Sequence, residues 1–162
     1  MKPQVFSTDI QEFLRLLAQH QVRYMIVGGE AVIYHGYARL TGDVDLFYDS
    51  APDNAGRLYE ALRAFWAGTV PGVAAPAELS SPGAIIMFGR PPNRLDLVNR
   101  IDGVGFAEAW DSRVLVVIPV AGEDVAVHYI GLDALLQNKR AIGRPKDQED
   151  LVYLEAARAR RR

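Results

Sequence analysis

The chain has no cysteine among its 162 residues. That absence excludes disulfides, thiolate nucleophiles and any zinc site built on cysteine. Histidine is scarce too: His20, His35 and His128 are the full set, and no two stand at metal-ligand spacing. There is no G-x-S-x-G elbow, so a Ser-His hydrolase has no support. No apolar run approaches the ~20 residues needed to span a bilayer, so no membrane association is expected. The opening MKPQVFSTDI lacks the apolar stretch of a secretory signal. A strong excess of either charge is also missing. A net charge of −2 argues against a general nucleic-acid binder, which is usually basic. The Arg158-Ala159-Arg160-Arg161-Arg162 tail is the one local exception, and it reads as a solvated, frayed helix end. What remains is one domain spanning 1–162, with a core from about 8 to 156, a basic tail over 157–162 and a cytoplasmic location as the default.

The stretch from Tyr24 to Tyr48, YMIVGGEAVIYHGYARLTGDVDLFY, organises the rest. Met25, Ile26 and Val27 form an apolar strand that stops at Gly28-Gly29. Paired glycines permit a sharp turn and leave backbone N–H groups accessible. The residues from Glu30 to Tyr37 read as a short helix whose N-terminus favours an anion. Asp43-Val44-Asp45-Leu46-Phe47 then reads as a second strand. Residues i and i+2 share a face, so Asp43 and Asp45 point one way and Val44 and Leu46 the other. Two adjacent carboxylates repel unless a cation lies between them, and Mg²⁺ takes carboxylate and phosphate oxygens together. A phosphate-accepting turn followed by a metal-binding pair suits nucleotidyl transfer. Two readings stand for Arg39: contact with phosphate or the aspartates, or a surface ion pair. His35 is read as structural.

The flanking chain supplies an α/β frame. Ile10, Phe13, Leu14 and Leu17 recur at helical spacing, predicting an amphipathic helix over 9–20, opened by a capping box at Thr8/Gln11 or Asp9/Glu12. Pro52 sits in the first turn of a second helix, and 67–82 reads as a loop with a short helix near 75–79. AIIMF at 84–88 reads as a buried strand, hairpinned through a turn at 89–93 to Arg94-Leu95-Asp96-Leu97-Val98. Arg94, Asp96 and Val98 share one face. Val114 to Ile118 is too uniformly apolar to predict a wet face, and Val125 to Ile130 is its partner. Leu132, Leu135 and Leu136 mark a helix that Gly143 stops, and Pro145 opens the last one. The hairpins follow a βαβ-like start, which predicts a mixed sheet.

These residues carry a resemblance. Gly28-Gly29, Ala31, His35-Gly36, Arg39, Thr41 and Asp43-Val44-Asp45-Leu46 resemble the signature of minimal nucleotidyltransferases of the DNA polymerase β-like superfamily. Within it, the chain is similar to small bacterial proteins related to AbiE-type nucleotidyltransferase toxins. The C-terminal Lys139-x-x-x-Gly143-Arg144-Pro145-Lys146-Asp147-x-x-Asp150-Leu151 resembles the same group. The resemblance implies a nucleotidyltransferase fold, a central mixed twisted sheet with helices mainly on one face. It implies that Asp96 joins Asp43 and Asp45 in holding Mg²⁺ or Mn²⁺, and that an NTP is the donor. Gly28, Gly29, Arg39, Thr41, Lys139, Arg144 and Lys146 are the implied nucleotide contacts, with Asp147 orienting a cation. The acceptor stays open among tRNA, a protein hydroxyl and a small molecule, as does a toxin role with an antitoxin partner. The alternative is a non-catalytic binding or regulatory module on the same scaffold.

Overall fold

The computed structural model describes residues 6–39, 41, 43–89 and 94–161. Six strands form one mixed sheet: β1 (Tyr24–Val27), β2 (Asp43–Tyr48), β3 (Ile85–Phe88), β4 (Arg94–Val98), β5 (Val114–Val120) and β6 (Glu123–Tyr129). Their order across the sheet is β3-β4-β2-β1-β6-β5. The helices are α1 (Thr8–Gln19), α2 (Gly28–His35), α3 (Pro52–Phe65), α4 (Phe106–Asp111), α5 (Leu132–Ile142) and α6 (Pro145–Arg160), with a 3₁₀ turn at Pro76–Ser80.

α1 starts on Ser7, whose hydroxyl accepts the Ile10 N–H at 3.3 Å, so neither expected capping box forms. Phe13, Leu14 and Leu17 make its buried face. Phe13 meets Phe65 of α3 edge-on, and Trp66 at the end of α3 lies against Phe88 of β3. α1 and α3 therefore cover the sheet face that bears Val44, Leu46, Leu95 and Leu97. The opposite face carries Asp43, Asp45, Phe47 and Asp96, with Phe106 of α4 against Phe47.

Both hairpins form, β3 on β4 and β5 on β6, each antiparallel. The start differs from a βαβ unit, because β2 lies antiparallel beside β1. α2 is only eight residues long and ends at Gly36, with φ at 125°, which lets the chain double back. Parallel pairing enters instead through β2–β4 and β1–β6. Two strands expected to be buried are edge strands. Ile85 and Met87 of β3 are 66% and 60% exposed, and Leu115 and Val117 of β5 are exposed likewise. Apolar content hid this: both strands alternate inward and outward, but their outward residues are apolar too. The turn expected at 89–93 lies outside the described residues except for Gly89, as does Gly42.

Candidate active site

The parallel register of β2 and β4 sets Asp45 directly beside Asp96, and Asp43 beside Arg94. One carboxylate oxygen from each of Asp43, Asp45 and Asp96 lies within 4.8 Å of the others. Like charges held this closely are unfavourable. Burial first, then Asp43 and Asp96, push the Asp45 carboxyl well above the ordinary range. Arg94 offsets part of this, donating from Nε and Nη2 to the two oxygens of Asp96 at 2.9 and 3.0 Å. The donor set fits a hard dication, being three oxygen ligands short of positive charge. Mg²⁺ bonds of about 2.1 Å allow at most about 4.2 Å between ligand oxygens, so only a sub-ångström side-chain adjustment separates this trio from one ion. Asp96 can accept Arg94 and still ligate, because a carboxylate offers about four lone-pair positions.

The two glycines of the turn make room for this cluster. Gly28 has φ +63°, and a Cβ there would collide with the Asp45 carboxylate. A Cβ on Gly29 would sit 2.6 Å from Thr41 Oγ1 and 3.4 Å from Arg39 Nη1. The site's own side chains thus fill space that any other residue would need. Thr41 in turn donates to the Asp43 carbonyl at 3.3 Å, tying the turn to the strand that bears the aspartates. Glu30, in the first turn of α2, is 7% exposed, and its Oε2 has no partner among the described residues. Burial, eased by Arg39 and aggravated by Asp43, raises its carboxyl to about 7.

A cleft of about 580 Å³ opens over Asp45 and Asp96, within the range of small-molecule sites. Gly28, Asp45, Asp96, Arg94, Lys139 and Arg144 line it together with apolar Ile85 and Met87. The C-terminal motif therefore does reach the site. Lys139 is buried, with Nζ 3.0 Å from Asp147 Oδ1 and 3.1 Å from Asp150 Oδ2. Asp147 is the third residue of α6 and reaches back to accept the Arg144 backbone N–H at 3.2 Å and its Nε at 2.7 Å. Burial alone would raise the Asp147 carboxyl, but Arg144 and Lys139 outweigh it and hold it near about 2. Lys146 is exposed and lies outside the cleft lining. One helical step of about 100° separates it from the inward Asp147. Arg39 reaches inward to α6 rather than pairing at the surface. It grips buried Asp150 with Nε at 2.9 Å and Nη2 at 3.1 Å.

Three residues here carried no sequence-derived role: Arg94, Glu30 and Asp150. Asp150 had a signal, since it follows Asp147 by three residues and so shares a helix face with it. Glu30 had a weaker one, as the only charged residue between Gly28 and Tyr34. His35 is structural as expected, its Nε2 2.7 Å from the Ile130 carbonyl.

A family described as "Nucleotidyltransferase of unknown function (DUF6036)" matches residues 7–156. The chain belongs to this family. The match spans both the turn with its aspartates and the C-terminal motif, so membership covers every element of the site. No curated protein matches. Among solved structures, the chain is similar to an antigenic nucleotidyltransferase-like protein from Paracoccidioides brasiliensis, with 18% identity and a TM-score of 0.47, over 91% of this chain and 76% of that one. No helix among the described residues is long and apolar enough to cross a membrane.

Proposed function

We propose that the protein is a metal-dependent nucleotidyltransferase that moves a nucleoside monophosphate from an NTP to an acceptor hydroxyl. The observation that carries this reading is the convergence of Asp43, Asp45 and Asp96 beside a cleft whose other wall bears Lys139 and Arg144. Asp43, Asp45 and Asp96 would hold the metal. Bound there, Mg²⁺ or Mn²⁺ would supply neutralising charge for the triphosphate and acidify the attacking hydroxyl. The hydroxyl oxygen forms a bond to the α-phosphorus, the α–β bridging bond breaks, and pyrophosphate leaves. Asp96, on the β3 side of the trio, would take the hydroxyl proton. Lys139 and Arg144 would face the β- and γ-phosphates, and Gly28 and Gly29 would bring the start of α2 alongside. Most of the rate would come from positioning and electrostatics.

The resemblance to AbiE-type toxins extends this reading to a toxin held in check by an antitoxin partner, acting on tRNA, a protein hydroxyl or a small molecule. One observation favours the second reading, a non-catalytic module: Arg94 already supplies Asp96 with a cation. Binding of ATP, GTP, CTP and UTP with and without Mg²⁺, by wild type and Asp45→Asn, decides between them. Mg²⁺-dependent binding that Asp45→Asn abolishes is the expected result. Well-folded wild type that binds none of the four refutes the transferase reading.

A further inference from the structure

We propose that Asp150 is the positioning residue of the nucleotide site, one buried carboxylate that holds two cations in place for the phosphates. This rests on the nucleotidyltransferase reading and assigns Asp150 and Arg39 a joint task within it. Asp150 is fully buried, on the second turn of α6. Its Oδ1 accepts from Arg39 Nε at 2.9 Å and its Oδ2 from Arg39 Nη2 at 3.1 Å, and Lys139 Nζ forms an ion pair with Oδ2 at 3.1 Å. The two cations come from opposite ends of the chain. Arg39 lies in the turn ahead of β2, with Nη1 next to Gly29 at the start of α2. Lys139 lies on α5 and lines the cleft.

The chain of contacts runs Arg39–Asp150–Lys139–Asp147–Arg144. Among the described residues it sets three cations against two carboxylates. The Lys139 ammonium donates to Asp147 Oδ1 at 3.0 Å and forms an ion pair with Asp150 Oδ2 at 3.1 Å. Held between these two buried carboxylates, the ammonium is fixed in place at the cleft wall. A flexible lysine in water spends rotamer entropy on meeting a phosphate, whereas this one has already lost that freedom on folding. A merely structural ion cluster gains little over apolar packing and has no reason to stand at a cleft wall.

The test compares Asp150→Asn with wild type in Mg²⁺, using ATP, GTP, CTP and UTP, each against its own monophosphate in competition. Asparagine keeps the volume and one acceptor but loses the charge that holds both cations. The expected result is a loss of NTP affinity of about tenfold or more, the scale of a charged hydrogen bond, with monophosphate affinity within about twofold of wild type. Unchanged NTP affinity overturns the proposal. Equal losses for tri- and monophosphate also overturn it, because they report a general disturbance of the fold. Should Asp150→Asn fail to fold, Arg39→Lys keeps the charge but not the two-pronged grip, and the same triphosphate-selective loss is required of it. Wild type that binds no nucleotide refutes the transferase reading itself, which is a separate outcome from wild-type binding with unselective variants.

Discussion

Glu30→Gln should stabilise the protein at alkaline pH and leave it nearly unchanged in acid. Glu30 is buried at the start of α2 with one oxygen unpartnered among the described residues, and its carboxyl is raised from 4.5 to about 7. A raised carboxyl means that the folded state keeps its proton where the unfolded chain has lost it. The favourable contribution is therefore complete below 4.5 and is lost as pH rises through about 7. A shift of roughly 2.5 units at about 1.36 kcal/mol per unit amounts to about 3 kcal/mol, felt in full above neutrality. At pH 5 the wild type has lost under about 1 kcal/mol of this. Glutamine matches the neutral acid in shape and cannot ionise. Urea unfolding at pH 5 and pH 9 should thus show Glu30→Gln gaining about 2–3 kcal/mol over wild type at pH 9 relative to pH 5. A difference between the two proteins that does not change with pH would refute the reasoning, since it would show that Glu30 ionises freely in the fold.

Two further substitutions probe the frame around the site. Gly28→Ala forces a Cβ into left-handed backbone at a cost of about 1–2 kcal/mol and drives it against Asp45. It should lose both stability and the Mg²⁺-dependent rise in melting temperature, read by denaturation with and without the ion. Leu115→Lys, on the outer side of edge strand β5, should change stability by no more than about 0.5 kcal/mol. A large loss of stability, read by urea unfolding, would show that Leu115 is packed.

The elements with strong periodicity were legible in the sequence. α1, α3 and the α5-Gly143-Pro145-α6 corner follow from helical spacing, a first-turn proline and a left-handed stop, all of which are local in the chain. Edge position was not legible. Ile85, Met87, Leu115 and Val117 read as core residues because hydropathy reports what a residue is, and only the strand order decides whether a neighbour covers it. The sense of β2 relative to β1 was equally hidden, since a strand–helix–strand stretch reads the same whether the second strand returns parallel or antiparallel.

The site divides along the same line. Asp43 and Asp45 are two residues apart on one strand, so their shared face is a local fact. Asp96 reaches them only because β4 lies parallel to β2 in a register that pairs it with Asp45, and residue-by-residue reading could supply no more than a face. The glycines have a packing reason that residue type alone does not display. Gly28-Gly29 suggests a phosphate turn, yet what a side chain would strike there is Asp45 and Thr41. The turn and the carboxylates are therefore one packed unit, and a ligand at α2 must meet the aspartates as well. Asp150 shows the reverse case. Its partners Arg39 and Lys139 lie 111 and 11 residues away, so the motif displays the carboxylate but only the fold reveals its work. It joins the turn before β2 to the basic wall of the cleft.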